Sequence, residues 1–450
     1  MKKKYILYFI NFISLFIIFF TIYIKKYFST TIEQLLFSIN SSGGASNNVL
    51  SNGAIYVFLR VFIVLMIIIL INIFTKRISF KIKRNISIVV LIFSIIFMCY
   101  NFGLFSYIGS LNKKTDLYEK YYKDPETTNI TFNEKRNLIY IIVESLESTS
   151  YSKEFMPNMD NLAKSNISFN GMNMVDGTNW TAASMFAQSS GVPIKVYPKN
   201  IFRKRNLTGA YTLGEVLEEN GYKNYLLMGS KASFGNRDVF FKEHGNYEIY
   251  DYDYAKETNL IDKDYKVWWG YEDSKLYSFA KDKLSTLEEP FNFTMLTADT
   301  HFVDGYQDKS CTSNFDSKYK NSFSCTDKML NEFINWIKKQ DFYKNTTIVV
   351  VGDHLVMQED LYKGINDRTI YNAFINTNID SINDNRIFTV MDLYPTTIAS
   401  IGGIVEGDRL GLGTNLFSDK KTIPEEIGFD KFNKEINLYS KYYINYINWL

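Results

Sequence analysis

Three apolar runs in the first quarter of the chain decide what the rest can be. Residues 5–24 (YILYFINFISLFIIFFTIYI), about 54–74 (AIYVFLRVFIVLMIIILINIF) and about 86–107 (ISIVVLIFSIIFMCYNFGLFSY) are each roughly 20 residues long, the length an α-helix needs to cross a hydrocarbon core of about 30 Å. Buried core helices can also be apolar, but three such runs together at one end predict a membrane anchor over 1–107. Arg60 alone interrupts them, close enough to a helix end to extend its charge toward an interface. The first run is long for the apolar segment of a cleaved leader and no small-x-small site follows it, so it reads as an uncleaved anchor.

Orientation follows from the basic residues in the short flanks. Lys2, Lys3 and Lys4 precede the first run, and Lys76, Arg77, Lys81, Lys83 and Arg84 lie between the second and third. Both segments are expected on the cytoplasmic side, outweighing Lys25 and Lys26 on the other. Three crossings then leave everything after about residue 108 outside the cytoplasm. That location bears on the cysteines. Cys99 sits in the third run and reads as an inert buried thiol. Cys311 and Cys325 would stay reduced in a cytosol, whereas in an oxidising compartment a short-loop disulfide is expected.

Lys and Arg total 50 against 48 Asp and Glu, a formal net charge of +2. No global field is available to attract nucleic acid, and no nucleic-acid partner is expected. The abundance of Phe and Tyr, which a codon bias would also produce, carries no functional argument.

From about 136 onward, short β-rich runs alternate with helical patterns, which predicts an α/β domain with a mostly parallel sheet covered on both faces. The expected strands are 137–143 (NLIYIIV), 223–228 (KNYLLM), 291–297 (FNFTMLT) and 346–352 (TTIVVVG), with a helix over 321–340 among others. Residues 108–135 read as a polar connector, and the tail after 417 as peripheral. Polar residues follow the strands: Glu144 after the first, Asp299 and His301 after the third, Asp353 and His354 after the fourth. Because the carboxyl ends of parallel strands form one functional edge, these five side chains are able to meet. Carboxylates with imidazoles make a ligand set for a divalent ion such as Mn²⁺ or Zn²⁺. Taken singly, each reads equally as a turn or cap residue. His244, in KEHGNY, is as consistent with a structural role. The stretch GTNWTAASMFAQSSGVP (177–193) reads as a tight turn and a helix starting near Thr181. The Thr181 hydroxyl is therefore either a candidate nucleophile or an ordinary N-cap.

Together these segments resemble the sulfatase-like phosphoglycerol transferases of the alkaline phosphatase superfamily, including the periplasmic glucan phosphoglycerol transferases, with lipoteichoic acid synthases as more distant relatives. The resemblance rests on IIVESLE (141–147), GTNWTAASMFAQSSGVP, MGSKASFGNRDVFFKEHG (228–245), WGYEDSKL (269–276), TADTHFVDGY (297–306), GDHLVM (352–357) and LGLGTNLFS (410–418), in order along the chain. It implies transmembrane helices followed by a sulfatase-like catalytic domain over 136–450, with a central mixed, mostly parallel sheet flanked by helices, outside a bacterial cytoplasmic (inner) membrane. It implies that Glu144, Thr181, Asp353 and His354 bind one divalent metal, Mn²⁺ or Zn²⁺ (or Mg²⁺), with Thr181 as nucleophile. His301 then looks like a phosphate ligand or proton-transfer residue, and Arg237 like a group that holds the phosphate or glycerol. The implied donor is phosphatidylglycerol, releasing diacylglycerol, and the implied acceptor a periplasmic or cell-surface glycan. Met228 and Gly235 stand where lipoteichoic acid synthases would carry a substrate-binding His and Trp, which disfavours polymerisation. The competing readings are a phosphoethanolamine transferase, whose CGTxTA-like and SDHGE-like motifs are replaced here by GTNWTAAS and GDHLVM, and a non-catalytic membrane sensor of the same fold.

Overall fold

The computed structural model describes residues 2–28, 30–38, 47–75, 77–149, 152–198, 204–379 and 383–448. They form two compact units, one ending at Asn112 and the other running from Lys113, with 36–38 joining the second.

In the first unit three helices are long and apolar enough to cross a membrane: α1 (Lys2–Phe28), α2 (Asn47–Phe74) and α3 (Phe80–Asn101). They touch through aromatic and branched side chains, with Phe16 and Phe58 rings 5.8 Å apart and Tyr23, Val57 and Val61 buried between α1 and α2. Large apolar side chains such as Ile55, Phe62, Leu70 and Phe93 stay exposed, as expected of surfaces solvated by lipid rather than water. Arg60 lays its guanidinium over the Tyr56 ring at 3.5 Å and donates to the Tyr56 carbonyl at 3.2 Å. The third helix lies about six residues earlier than its apolar run suggests. Ser79 caps its start by accepting from the Ile82 amide, so Lys81, Lys83 and Arg84 are helical rather than in the loop. Gly103, left-handed at φ 74°, ends it, and Leu104–Leu111 form a separate short helix. Lys76 lies outside the described residues.

The second unit is built on six strands: β1 (Asn137–Val143), β2 (Lys223–Met228), β3 (Glu248–Tyr250), β4 (Phe291–Leu296), β5 (Thr346–Gly352) and β6 (Asn372–Ile375). Their order is β6-β5-β1-β4-β2-β3, parallel throughout except for the antiparallel edge strand β6. Every residue of β1, β4 and β5 is buried, which explains their unbroken apolar runs: strands covered on both faces show no alternation.

Register sets the functional edge. Val143 pairs with Gly352, and Ile142 with both Val351 and Leu296, so the three central strands stop at one level and their following residues emerge side by side. Gly352 is required there, because a Cβ would lie 2.1 Å from the Leu146 carbonyl oxygen.

Both polar flanks of the domain are packed into it. Leu117 and Tyr118 are buried, Ile130–Phe132 pairs with Gly403–Val405, and in the tail Tyr443 and Ile447 are fully buried, with the Tyr443 hydroxyl donating to the Pro193 carbonyl. Their amphipathic stretches are too short to reveal this in sequence. Cys311 and Cys325 form a disulfide that ties the loop after β4 to helix α7 (Lys318–Ile337). Cys99 is free.

Candidate metal centre and nucleophile

Glu144, the first residue after β1, and Asp353 and His354, the first two after β5, bring one ligand atom each to within 4.8 Å of one another, all buried. A turn through Ser145 holds them. Ser145 takes a left-handed backbone (φ 57°), donates its amide to Asp353 Oδ1 at 2.7 Å, and donates its hydroxyl to Glu144 Oε1 at 2.8 Å. The His354 amide also donates to Asp353 Oδ1, at 2.8 Å. Behind them, buried Glu147 pairs with Arg368 and accepts the Val356 amide at 2.6 Å, fixing the chain just past His354.

Thr181 opens helix α4 (Thr181–Ser190), but Trp180 is the capping residue and no side-chain cap bond is made. The threonine hydroxyl is turned outward instead. It lies 3.1 Å from Glu144 Oε2, to which it donates, and 3.4 Å from His354 Nε2. The rest of α4 is anchored beneath the ligands: Ser184 donates to the Asp353 carbonyl, and Gln188 accepts from the Tyr140 hydroxyl. Of the two readings of Thr181, the geometry removes the N-cap.

The donor set fits a divalent cation. His354 Nδ1 lies 2.9 Å from the Leu355 carbonyl and must donate to it, so in the neutral ring Nε2 presents a lone pair. That lone pair faces Glu144 Oε1 at 3.5 Å and Asp353 Oδ2 at 3.2 Å, and Asp353 Oδ2 has no hydrogen-bond donor. Acceptors converging on acceptors in a buried space call for positive charge between them. In the protein alone the strain appears as shifted protonation. Burial and the adjacent Glu144 push Asp353 up to about 6. Burial pulls His354 down, but Asp353 and Glu144 outweigh it and hold the imidazole above its usual range.

His301 and Arg237 border this cluster without joining the ligand set. His301 Nδ1 lies 2.6 Å from the Phe302 carbonyl, the Trp269 ring is 4.4 Å away, and burial brings the imidazole down to about 4. It is neutral at physiological pH, with Nε2 free of a proton. Arg237, at the start of helix α5 (Arg237–Glu243), commits Nε to the Phe234 carbonyl and Nη2 to Lys231 O and Ser230 Oγ. Burial lowers it to about 10, and the carboxylates of Glu144 and Asp353 act against that fall; it stays cationic. The turn before it presses on α4, the helix that Thr181 opens. Gly235 has φ +70°, and a Cβ there would sit 2.8 Å from the Ala182 Cβ.

Two strand-end or loop residues do not come to the site. Asp299 turns away from the cluster toward Asp273. His244 pairs through Nδ1 with Glu215 at 3.2 Å and packs its ring, tilted, against Phe240. Ser145 and Trp269 fall within the IIVESLE and WGYEDSKL segments that carry the resemblance, but nothing in the sequence gives either a role at the site. A left-handed serine has no compositional mark, and Trp269 acts through a fold contact 32 residues along the chain.

The sulfatase family model matches residues 136–393. Phosphoglycerol transferase I of Salmonella choleraesuis (strain SC-B67) is 31% identical over 327 residues, covering 66% of this chain and 41% of that protein. The enzyme of the same name from Escherichia fergusonii is 30% identical over 363 residues, covering 71% and 46%. The chain thus spans less than half the length of these curated relatives. Among solved structures, the lipoteichoic acid synthase LtaP from Listeria monocytogenes superposes with a TM-score of 0.51 at 19% identity, covering 65% of this chain and 79% of that one. Lipooligosaccharide phosphoethanolamine transferase A (EptA), an integral membrane protein from Neisseria meningitidis, does so with a TM-score of 0.52 at 13% identity, covering 87% and 83%. At such identities these two share the fold.

Proposed function

The chain belongs to the sulfatase family, and from that premise we propose that it is a membrane-anchored phosphotransferase that moves phosphoglycerol from phosphatidylglycerol to a glycan outside the cytoplasmic membrane. The observation that carries this reading is the Thr181 hydroxyl, free of any capping role and 3.1 Å from Glu144 Oε2 within the candidate metal centre. The relatives named for phosphoglycerol transfer support the group transferred, and the three apolar helices support a membrane lipid as its source. In this reading residues 1–107 anchor the protein with its N-terminus inside, and the domain after 108–135 works outside.

Glu144, Asp353, His354 and Thr181 would hold the divalent ion, with Mn²⁺ or Zn²⁺ suited to the mixed oxygen and nitrogen donors. When bound it lowers the pKa of the threonine hydroxyl and offsets phosphate charge. Thr181 Oγ1 attacks the phosphorus of the donor, the bond from phosphorus to the diacylglycerol oxygen breaks, and phosphoglycerol is left as an ester on Thr181. The threonine proton passes through Glu144, the carboxylate it faces, to the diacylglycerol oxygen as that bond breaks. An acceptor hydroxyl then attacks the same phosphorus while neutral His301 takes its proton; the bond from phosphorus to Thr181 Oγ1 breaks, and that proton is returned to restore the threonine hydroxyl. Arg237, fixed by its backbone contacts and still cationic, stabilises charge on the phosphoryl oxygens.

The test is donor consumption by the purified full chain with Mn²⁺ in mixed vesicles of phosphatidylglycerol and phosphatidylethanolamine. Diacylglycerol is expected from phosphatidylglycerol. Preferential use of phosphatidylethanolamine would move the protein to the phosphoethanolamine transferases, and turnover of neither lipid would favour a sensor.

A further inference from the structure

The WGYEDSKL segment, 269–276, takes no part in the chemistry above, yet it contains one of the most completely buried carboxylates in the domain. Asp273 is 1% exposed and opens helix α6 (Asp273–Leu284). Its Oδ1 accepts the Ala298 amide at 2.9 Å and its Oδ2 the Asp299 amide at 3.0 Å. Asp299, also 1% exposed, returns the contact by accepting the Asp273 amide on Oδ2 at 3.1 Å. Two residues before the segment's glycine, Trp268 donates Nε1–H to the Ala298 carbonyl at 3.2 Å, and Trp269 lays its ring 4.4 Å from that of His301. Four hydrogen bonds therefore stitch residues 268–273 to the two residues that precede Thr300 and His301.

We propose that Asp273 is a positioning residue for His301, holding the turn after β4 so that the imidazole faces the nucleophile and its metal centre. It rests on the proton-transfer role given to His301 above. The physical reason is directionality. Backbone amides accepted by a carboxylate that cannot move, because it is enclosed and itself opens a helix, fix both the position and the tilt of the peptide units leading into His301. The neighbours acting on Asp273 and Asp299 include Glu144, Glu272 and Asp308, and no lysine or arginine pairs with either carboxylate among the described residues. Two such groups together do not both ionise readily. Burial with these like charges holds Asp273 up to about 7 and Asp299 well above its usual range. Asp299 Oδ1 lacks any partner. A loop needing only a turn would not retain so costly an arrangement.

Other supports of the turn reach it from the metal side. Thr300 donates to the Glu144 carbonyl and accepts the Tyr319 hydroxyl on its own carbonyl. Asp304 exchanges hydrogen bonds with Gln358, through its amide at 3.1 Å and its carboxylate at 3.3 Å. These fix the far side of His301, while Asp273 and Trp268 hold the near side together with the Tyr306 amide, which donates to the Asp299 carbonyl at 2.6 Å.

A double-mutant cycle separates positioning from general structural support. With phosphatidylglycerol vesicles and Mn²⁺, Asp273→Ala is expected to lower kcat about a hundredfold with little change in KM, and Trp268→Phe, which removes only the indole N–H, about fivefold. In a His301→Ala background neither should cost more than about threefold. Additive losses would overturn the proposal. A second readout needs no turnover and stands if the donor assignment fails. The chain has three histidines, so the ¹³Cε1 resonances of the full-length protein in detergent are few. Asp273→Ala, or Trp268→Phe if the former does not fold, should move the His301 line and leave those of His244 and His354 in place. An unmoved His301 line, or equal movement of all three, would contradict the positioning role.

Discussion

Two histidines leave the same edge of the sheet and are treated in opposite ways. His354 is set among carboxylates, with Asp353 Oδ2 and Glu144 Oε1 within 3.5 Å of Nε2, and is held above its usual range despite burial. His301 is set among rings, with Phe302 stacked on it and Trp269 tilted against it, and burial takes it down to about 4. Both donate Nδ1–H to the carbonyl of the residue that follows, His354 to Leu355 and His301 to Phe302. In its neutral form each ring therefore presents Nε2 as a lone pair. The difference teaches that surroundings, not the residue or its local bonding, divide the roles. An imidazole facing negative charge suits a cation, and one facing apolar rings stays neutral and ready to accept a proton.

The largest effect should come from breaking the first environment. Asp353→Ala removes a candidate ligand and the acceptor of the Ser145 and His354 amides. Transfer is expected to fall at least about a thousandfold, as loss of several kcal/mol of charge stabilisation requires, and elemental analysis should find the metal absent. Retained metal with near-parental transfer would dissolve the contrast. Breaking the second environment should cost less. His301→Gln is expected to reduce transfer about a hundredfold or more, the range of a lost general base, with metal stoichiometry unchanged. Loss of metal in this variant would show that the two histidines share one role.

A smaller, pH-dependent effect sharpens the same comparison. Asp353, raised to about 6, binds its proton more tightly in the folded metal-free protein than in the unfolded chain. Its contribution to stability is thus present below about pH 4 and lost as the pH rises through about 6. A cation replaces that proton, so added Mn²⁺ should raise Tm more at pH 7 than at pH 5, as measured by scanning calorimetry. An equal rise at both would place the ion elsewhere. The smallest effect on turnover is expected from Cys311→Ser with Cys325→Ser, since the disulfide spans 14 residues beyond the His301 turn and the turn has its own supports. Tm should fall, consistent with a loss of up to about 3 kcal/mol for a loop of this size, while transfer changes by no more than about twofold. A hundredfold loss of transfer would make the disulfide part of the His301 support.

Sequence revealed Glu144, Asp353 and His354 because strand lengths set where β1 and β5 end, and parallel strands of equal length end together. It revealed Thr181 as a helix start, but not which way the hydroxyl turned, since that depends on Trp180 capping the helix and Glu144 lying opposite. Asp299 misled for a related reason. It sits at a strand end like the others, and only the fold shows Asp273 drawing it away. The third apolar helix was shifted because hydropathy follows lipid-compatible residues, while helix bounds follow the Ser79 cap and the left-handed Gly103. Ser145, Trp269 and the buried tail around Tyr443 were not legible, as each owes its place to partners distant in the chain.

Whether Thr181 carries the transferred group is read most directly from the mass of its peptide during turnover. Full-length protein loaded with Mn²⁺, mixed with phosphatidylglycerol vesicles in the absence of acceptor and quenched in acid, should show a phosphoglyceryl adduct on the peptide containing Thr181, with diacylglycerol released in equal amount. The adduct should be absent from Thr181→Ala, which should also lose transfer by several orders of magnitude. Transfer at near the parental rate by Thr181→Ala, or diacylglycerol release with that peptide unmodified, would contradict the account.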